Sequence, residues 1–243
     1  MKVALNLSGL SRTLNYSWLF IDKYIATPLK ADIFLHTWDM DHSSAHGLAK
    51  GSTTLDPKFN APSVFSDIPK ERYILNELAP TSYIIEPFEN FALKKENHST
   101  FAMYHGIQQA NNLRKQYEKQ EGVSYDLIIR ARLDSFFENI IPDKEIHEAL
   151  AQDILFVGCN CSEKNYIHTE TTDVFAFAKG PIMDIYCDTF NLYEDGKNRD
   201  LLGEKGLHRQ LTNHNIQTKW SNMRMKLPAV WTSTEIAASG FFN

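Results

Sequence analysis

The chain has 243 residues, 43% hydrophobic, 23% charged and 12% aromatic, a mixture that builds a core and lies far from the composition of a disordered chain. Its 25 basic residues against 30 acidic ones give a formal charge of −5, which supplies no general field for nucleic acid and excludes that partner from the reading. No run approaches the ~20 apolar residues of a membrane helix, mean hydropathy is −0.36, and the start, Met1 to Gly9, lacks a signal-peptide pattern. The expectation is one cytoplasmic domain over residues 1–243, with Cys159, Cys161 and Cys187 reduced.

In chain order, Lys2 to Leu7 is a short apolar run stopped by Ser8-Gly9, and Thr13 to Ile25 carries Leu14, Trp18, Ile21 and Ile25 at helical spacing. A second apolar run, Ala31 to Thr37, ends in Trp38-Asp39 and completes a β-α-β unit, so the sheet begins as parallel. Residues 40–66 are rich in Ser, Gly, His, Asp and Pro, too polar to bury a core, and are expected to form a flap or lid beside a site. Ile68 to Leu78 reads as a helix and Thr81 to Glu86 as a strand closed by Pro87. His98 to Gln120 is the strongest helix, with Phe101, Ile107, Ala110, Leu113 and Tyr117 inward and Gly122 as its stop. Tyr125 to Asp134 follows as a buried strand ending in charge. Ile154 to Gly158 and Val174 to Ala178 read as strands, and Pro181 to Tyr193 and Leu201 to Asn213 as helices. Strands alternating with helices, without repeat or linker, give an α/β three-layer sandwich with a mostly parallel central sheet.

Ligands of open α/β sheets lie outside the carboxyl ends of the strands, so chemistry is sought there. At the first end, Ser8-Gly9-Leu10-Ser11-Arg12 offers a tight turn, a guanidinium fork for phosphate and the N–H groups of the next helix. The alternative is an ordinary turn capped by Ser11. A single glycine there is not G-x-G-x-x-G, which removes the main support for a dinucleotide cofactor. At the second end, Asp39 stands where a ribose hydroxyl is often held, and Asp39-Met40-Asp41 is a D-x-D of low specificity. His36 is equally well read as a hydrogen-bonded core histidine or as a ligand.

The third end, Arg130-Ala131-Arg132-Leu133-Asp134, places two guanidiniums on one face by the period of two, with Asp134 just beyond the sheet. Unpaired charges are too costly inside for all three to be packing. The choices are a diphosphate held by arginine and a metal at Asp134, or an ion-pair network such as Arg132 with Asp126 or Glu138. Asp173 opens a later strand, and Glu204 and His208 share a helix face at i and i+4, either an acid/base or metal pair or a helix-dipole partner. Trp220 and Trp231 are either acceptor-stacking residues or core.

Four blocks in order carry a resemblance: Leu7 to Thr13, Asp32 to Asp39, Tyr125 to Asp134, and Asp173 to Phe177 with Met183-Asp184. They resemble a family of GT-A-type glycosyltransferases found in bacterial capsule or lipopolysaccharide clusters and in some viruses. The resemblance implies a nucleotide-sugar donor and a glycan acceptor, with residues 1–135 as the donor half and 136–243 as the acceptor half. Ser8, Gly9, Arg12, Thr37, Asp39, Arg130, Arg132 and Asp134 would surround the donor, and Asp173 or Glu204 would act as base. The family's D-x-D is here Arg132-Leu133-Asp134, so a divalent Mn²⁺ or Mg²⁺ would rest on Asp134, with His208 as a second candidate ligand, or arginine would replace part of its charge. Two other classes fit the sequence less well: an S-adenosylmethionine methyltransferase using Gly9 and Asp39, and a non-catalytic module on a degenerate glycosyltransferase fold.

Overall fold

The computed structural model describes residues 1–11, 14–39, 70–88, 98–158, 171–194 and 204–226. The first strand, β1 (Val3–Gly9), turns Val3, Leu5 and Leu7 to one side and Ala4, Asn6 and Ser8 to the other, and all but its last residue are buried. A strand buried on both sides needs a layer of helices on each. Helix α1 (Leu14–Ile21) continues through a wide-turned stretch, Asp22–Ala26, and a last turn, Thr27–Leu29, that stops at Lys30 in the left-handed conformation with φ 49°. β2 (Asp32–Trp38), α2 (Lys70–Tyr73, extended by Ile74–Leu78), β3 (Ser82–Glu86), α3 (His98–Glu121) and β4 (Leu127–Arg132) complete the first half. The second half adds β5 (Phe136–Phe137), α4 (Asp143–Ala151), β6 (Ile154–Gly158) and β7 (Phe175–Ala178). α5 (Gly180–Cys187), α6 (Glu204–Asn213), β8 (Gln217–Trp220) and β9 (Met225–Lys226) follow.

Seven strands form one sheet in the order β3-β2-β1-β4-β7-β6-β8. Every neighbouring pair is parallel except β4 with β7 and β6 with β7, so β7 alone runs backwards. α1, α2 and α4 cover one face through Leu14, Trp18, Ile21, Ile74, Leu78 and Ile146. α3, α5 and α6 cover the other through Tyr104, Ile107, Leu113, Met183, Tyr186 and Leu207. This is the expected α/β three-layer sandwich with a mostly parallel sheet. No helix among the described residues is long and apolar enough to cross a membrane.

Differences from the sequence reading have local causes. α4 follows Pro142 as a polar stretch that buries only Glu145, Ile146 and Ala149, too narrow a stripe for the periodicity to register. β8 is an edge strand of sequence QTKW, half exposed, and lacks the apolar run by which strands were recognised. The helix expected over 181–193 closes at Cys187 and proceeds through a tighter turn, Asp188–Phe190, into a final turn, Asn191–Glu194. The proposed lid, residues 40–66, lies outside the described residues.

A polar network pins the second layer to the sheet. Asn6 on β1 donates to Asn111 Oδ1 on α3 at 3.0 Å, and Asn111 donates to Asp184 on α5 at 2.8 Å. Arg114 joins Asn111 at 3.0 Å, pairs with Asp184, and binds Glu118 at 2.6 Å. α6 reaches the same layer because Gly206 lacks a side chain: a Cβ there would stand 1.9 Å from Tyr193 Oη and 2.6 Å from its Cζ. Gly206→Ala should therefore displace α6 and destabilise the protein by about 1–3 kcal/mol, read as a lower denaturant midpoint with an unchanged slope. A variant as stable as the parent would show that Tyr193 swings aside freely.

Candidate active site

The carboxyl ends of β1, β2 and β4 open on one edge of the sheet, and the amino end of the reversed β7 joins them. This reversal brings a residue from the second half of the chain to the tip of β4: Arg132 N–H donates to Val174 O at 3.0 Å, which seats Asp173 next to Arg132. The period of two then decides which face each side chain joins. Arg130 and Arg132 lie on the α3 side with Asn6 and Ser8, in register as Asn6↔Arg130 and Ser8↔Arg132.

Arg132 closes a two-pronged ion pair on Asp134, Nε to Oδ1 at 2.9 Å and Nη2 to Oδ2 at 2.7 Å. Burial works against the charge of Arg132, but Asp134 and Asp173 more than offset it and hold its pKa above the ordinary arginine value. The pairing with Asp126 or Glu138 weighed from sequence is not the one formed: Asp126 sits at the other end of β4, accepting from Lys2 N–H at 2.7 Å. Arg130 is 1% exposed, and its Nε and Nη1 have no hydrogen-bond partner among the described residues. Burial lowers its pKa, opposed by Tyr186 and Asp173. Six buried side-chain atoms are without a partner among the described residues, and five of them, on Asn6, Ser8, His36 and Arg130, share this face of adjacent strands.

Asp173 is the electrostatic hub. Its charge acts on Arg130, Arg132, Tyr104, Tyr186 and Glu204. Tyr186 donates to Thr172 O at 2.9 Å, which fixes α5 against the strand that carries Asp173. Burial first, and Asp173 second, raise the pKa of half-buried Glu204. The structure thus brings together Arg130, Arg132, Asp134, Asp173 and Glu204. Tyr104 and Tyr186, which the sequence reading did not single out, complete the group; both sit at core spacing, so nothing in the pattern separates them from packing residues.

The other candidates have different surroundings. Thr37 is buried and its hydroxyl donates to Gly9 O at 2.9 Å, where it fixes the strand ends. Gly9 takes φ 134°, a conformation that favours glycine. Asp39 is exposed at the turn after β2 and accepts from Phe88 N–H at 3.0 Å. Ser8 is buried on the arginine face. His208 is exposed on α6, and Arg12 and Trp231 lie outside the described residues. One group of three or more metal-capable side chains occurs among the described residues, His36, Glu86 and His105, and it contains neither Asp134 nor His208.

Comparison with known proteins gives no match, either to a family model or to a curated protein. Cys187 lies against this layer, fully buried, and burial pushes its thiol up to about 12. A thiol so placed is inert. Iodoacetamide at neutral pH should leave Cys187 unmodified in the native protein and label it only after denaturation, as read by peptide mass mapping; rapid native labelling would show that α5 opens.

Proposed function

We propose that the protein is a nucleotide-sugar-dependent glycosyltransferase whose donor diphosphate is held by Arg130 and Arg132. The observation that carries this reading is the buried guanidinium of Arg130, with two nitrogens unpartnered, beside a second arginine at the carboxyl end of a central strand. Two adjacent guanidiniums suit a group bearing two negative charges, and donors fixed in advance stabilise the charge that grows on the leaving diphosphate. The same pair repels a sulfonium, which disfavours a methyltransferase using S-adenosylmethionine.

In this reading Asp134 orients the fork of Arg132, and Asp173 holds both arginines in place. A divalent Mn²⁺ or Mg²⁺ on Asp134 would share carboxylate oxygens already engaged by Arg132, so the arginines supply most of the neutralising charge. Glu204 is the base that takes the acceptor hydroxyl proton: its raised pKa makes it a stronger proton acceptor than an ordinary carboxylate. The GT-A assignment and a surface-glycan acceptor belong to the same proposal.

Thermal-shift screening against UDP, GDP, CDP, dTDP and S-adenosylmethionine, with and without Mn²⁺, tests the donor class. Stabilisation by a nucleoside diphosphate is expected. Stabilisation by S-adenosylmethionine alone would overturn the reading. Arg130→Met removes a poorly partnered charge at similar volume, so it should keep the fold and melting temperature while cutting turnover on the order of 10²-fold. Wild-type turnover in folded Arg130→Met would place the diphosphate elsewhere. Transfer should rise as pH increases through the raised pKa of Glu204, since the base must be deprotonated, and Glu204→Gln should abolish that limb of the profile.

A further inference from the structure

We propose that His36, Glu86 and His105 form a binding site for one divalent transition-metal ion, with zinc as the ion the donor set suits best. The site shares no ligand with the arginine cluster and does not depend on the proposed transfer reaction. Three elements build it: His36 from β2, Glu86 from the end of β3, and His105 from α3. Both imidazole Nε2 atoms converge on the same carboxylate oxygen, Glu86 Oε2, at 3.0 Å from His36 and 2.8 Å from His105. The three ligand atoms lie within 4.8 Å of one another.

Two neutral imidazoles and one carboxylate carry a single negative charge, and this combination of nitrogen and oxygen donors is a common one for zinc. Ligand atoms about 2.0–2.1 Å from a tetrahedral ion stand roughly 3.4 Å apart. The two observed separations therefore need to open by about half an ångström each, a side-chain adjustment. The rings are already oriented. His36 is fully buried, and Trp38 stacks on His105 at 5.5 Å and meets His36 edge-on at 4.9 Å. Gly106 leaves the space that His36 fills, since a Cβ there would lie 3.0 Å from its Nδ1. An ion on Nε2 places the imidazole proton on Nδ1, which has no partner among the described residues, and Ser8 Oγ, likewise without one there, lies on the neighbouring strand in register with His36. Glu86 and His105 keep 29% and 16% of their side chains exposed, so a fourth position is open to water.

The test uses the full chain without a histidine tag, stripped with EDTA and dialysed against ZnCl₂. Elemental analysis should find one zinc per chain, and titration calorimetry should give the same stoichiometry. His105→Gln and Glu86→Gln, shown folded by circular dichroism, should each weaken binding at least about tenfold. His147→Gln, at an exposed histidine on α4, should bind as the parent does. Saturating zinc should raise the melting temperature by about 5 °C when it is roughly a hundredfold above Kd. Cobalt(II) on the unmutated chain gives a readout that needs no variant: a visible spectrum of low-coordinate cobalt supports the site, and the spectrum of the hydrated ion overturns it. Absence of stoichiometric zinc, or undiminished binding in both ligand variants, likewise overturns it.

Discussion

A guanidinium enclosed within a sheet face must be answered by negative charge, because a buried cation without compensation is among the most expensive groups a protein can hold. Arg130 imposes that demand from the middle of β4, where Asn6 and Ala176 are its register neighbours. The carboxylate that acts on it comes from Asp173, whose position follows from the reversal of β7. A parallel strand at this place in the sheet would put its carboxyl end beside Arg132 and carry Asp173 to the far side. Strand direction and site electrostatics are thus one constraint.

The layer over the arginines is held by polar contacts as well as by packing. Asn6, Asn111, Arg114 and Asp184 connect β1 to α3 and α5 beneath an otherwise apolar interface. Such a network fixes the position of α3 along the sheet more sharply than apolar contact does, since its hydrogen bonds fail after a small slide whereas Leu and Ile contacts tolerate it. α3 and α5 carry Tyr104 and Tyr186, so the network that places these helices also places the phenols around Asp173.

Much of the fold was legible because the buried strands are short apolar runs and α3 has a long, well-spaced stripe. The Arg130-Ala131-Arg132-Leu133-Asp134 ending was legible for a different reason: charge at the end of a buried strand conflicts with packing and calls for a partner. The identity of that partner was not. Arg132 takes Asp134, two residues on, through a turn in which Ser135 N–H donates to Arg132 O at 3.2 Å, and local turn geometry is not written in the hydrophobic period. Glu86 and His105 were passed over because each looks ordinary within its own element, and only the pairing of β2 with β3 and the packing of α3 bring them to His36.

The placement of β1 between β2 and β4 also governs how the chain can be made. Asn6 leaves the ribosome well ahead of its neighbour Arg130, which emerges only after β2, β3 and α3 have been synthesised. Until then one edge of this buried strand is open, with its hydrogen-bonding groups available to any other strand. The central pairing is a non-local contact that the growing chain must wait for, which sets a long window of exposure during synthesis and makes closure of β1 on β4 the step that ends it.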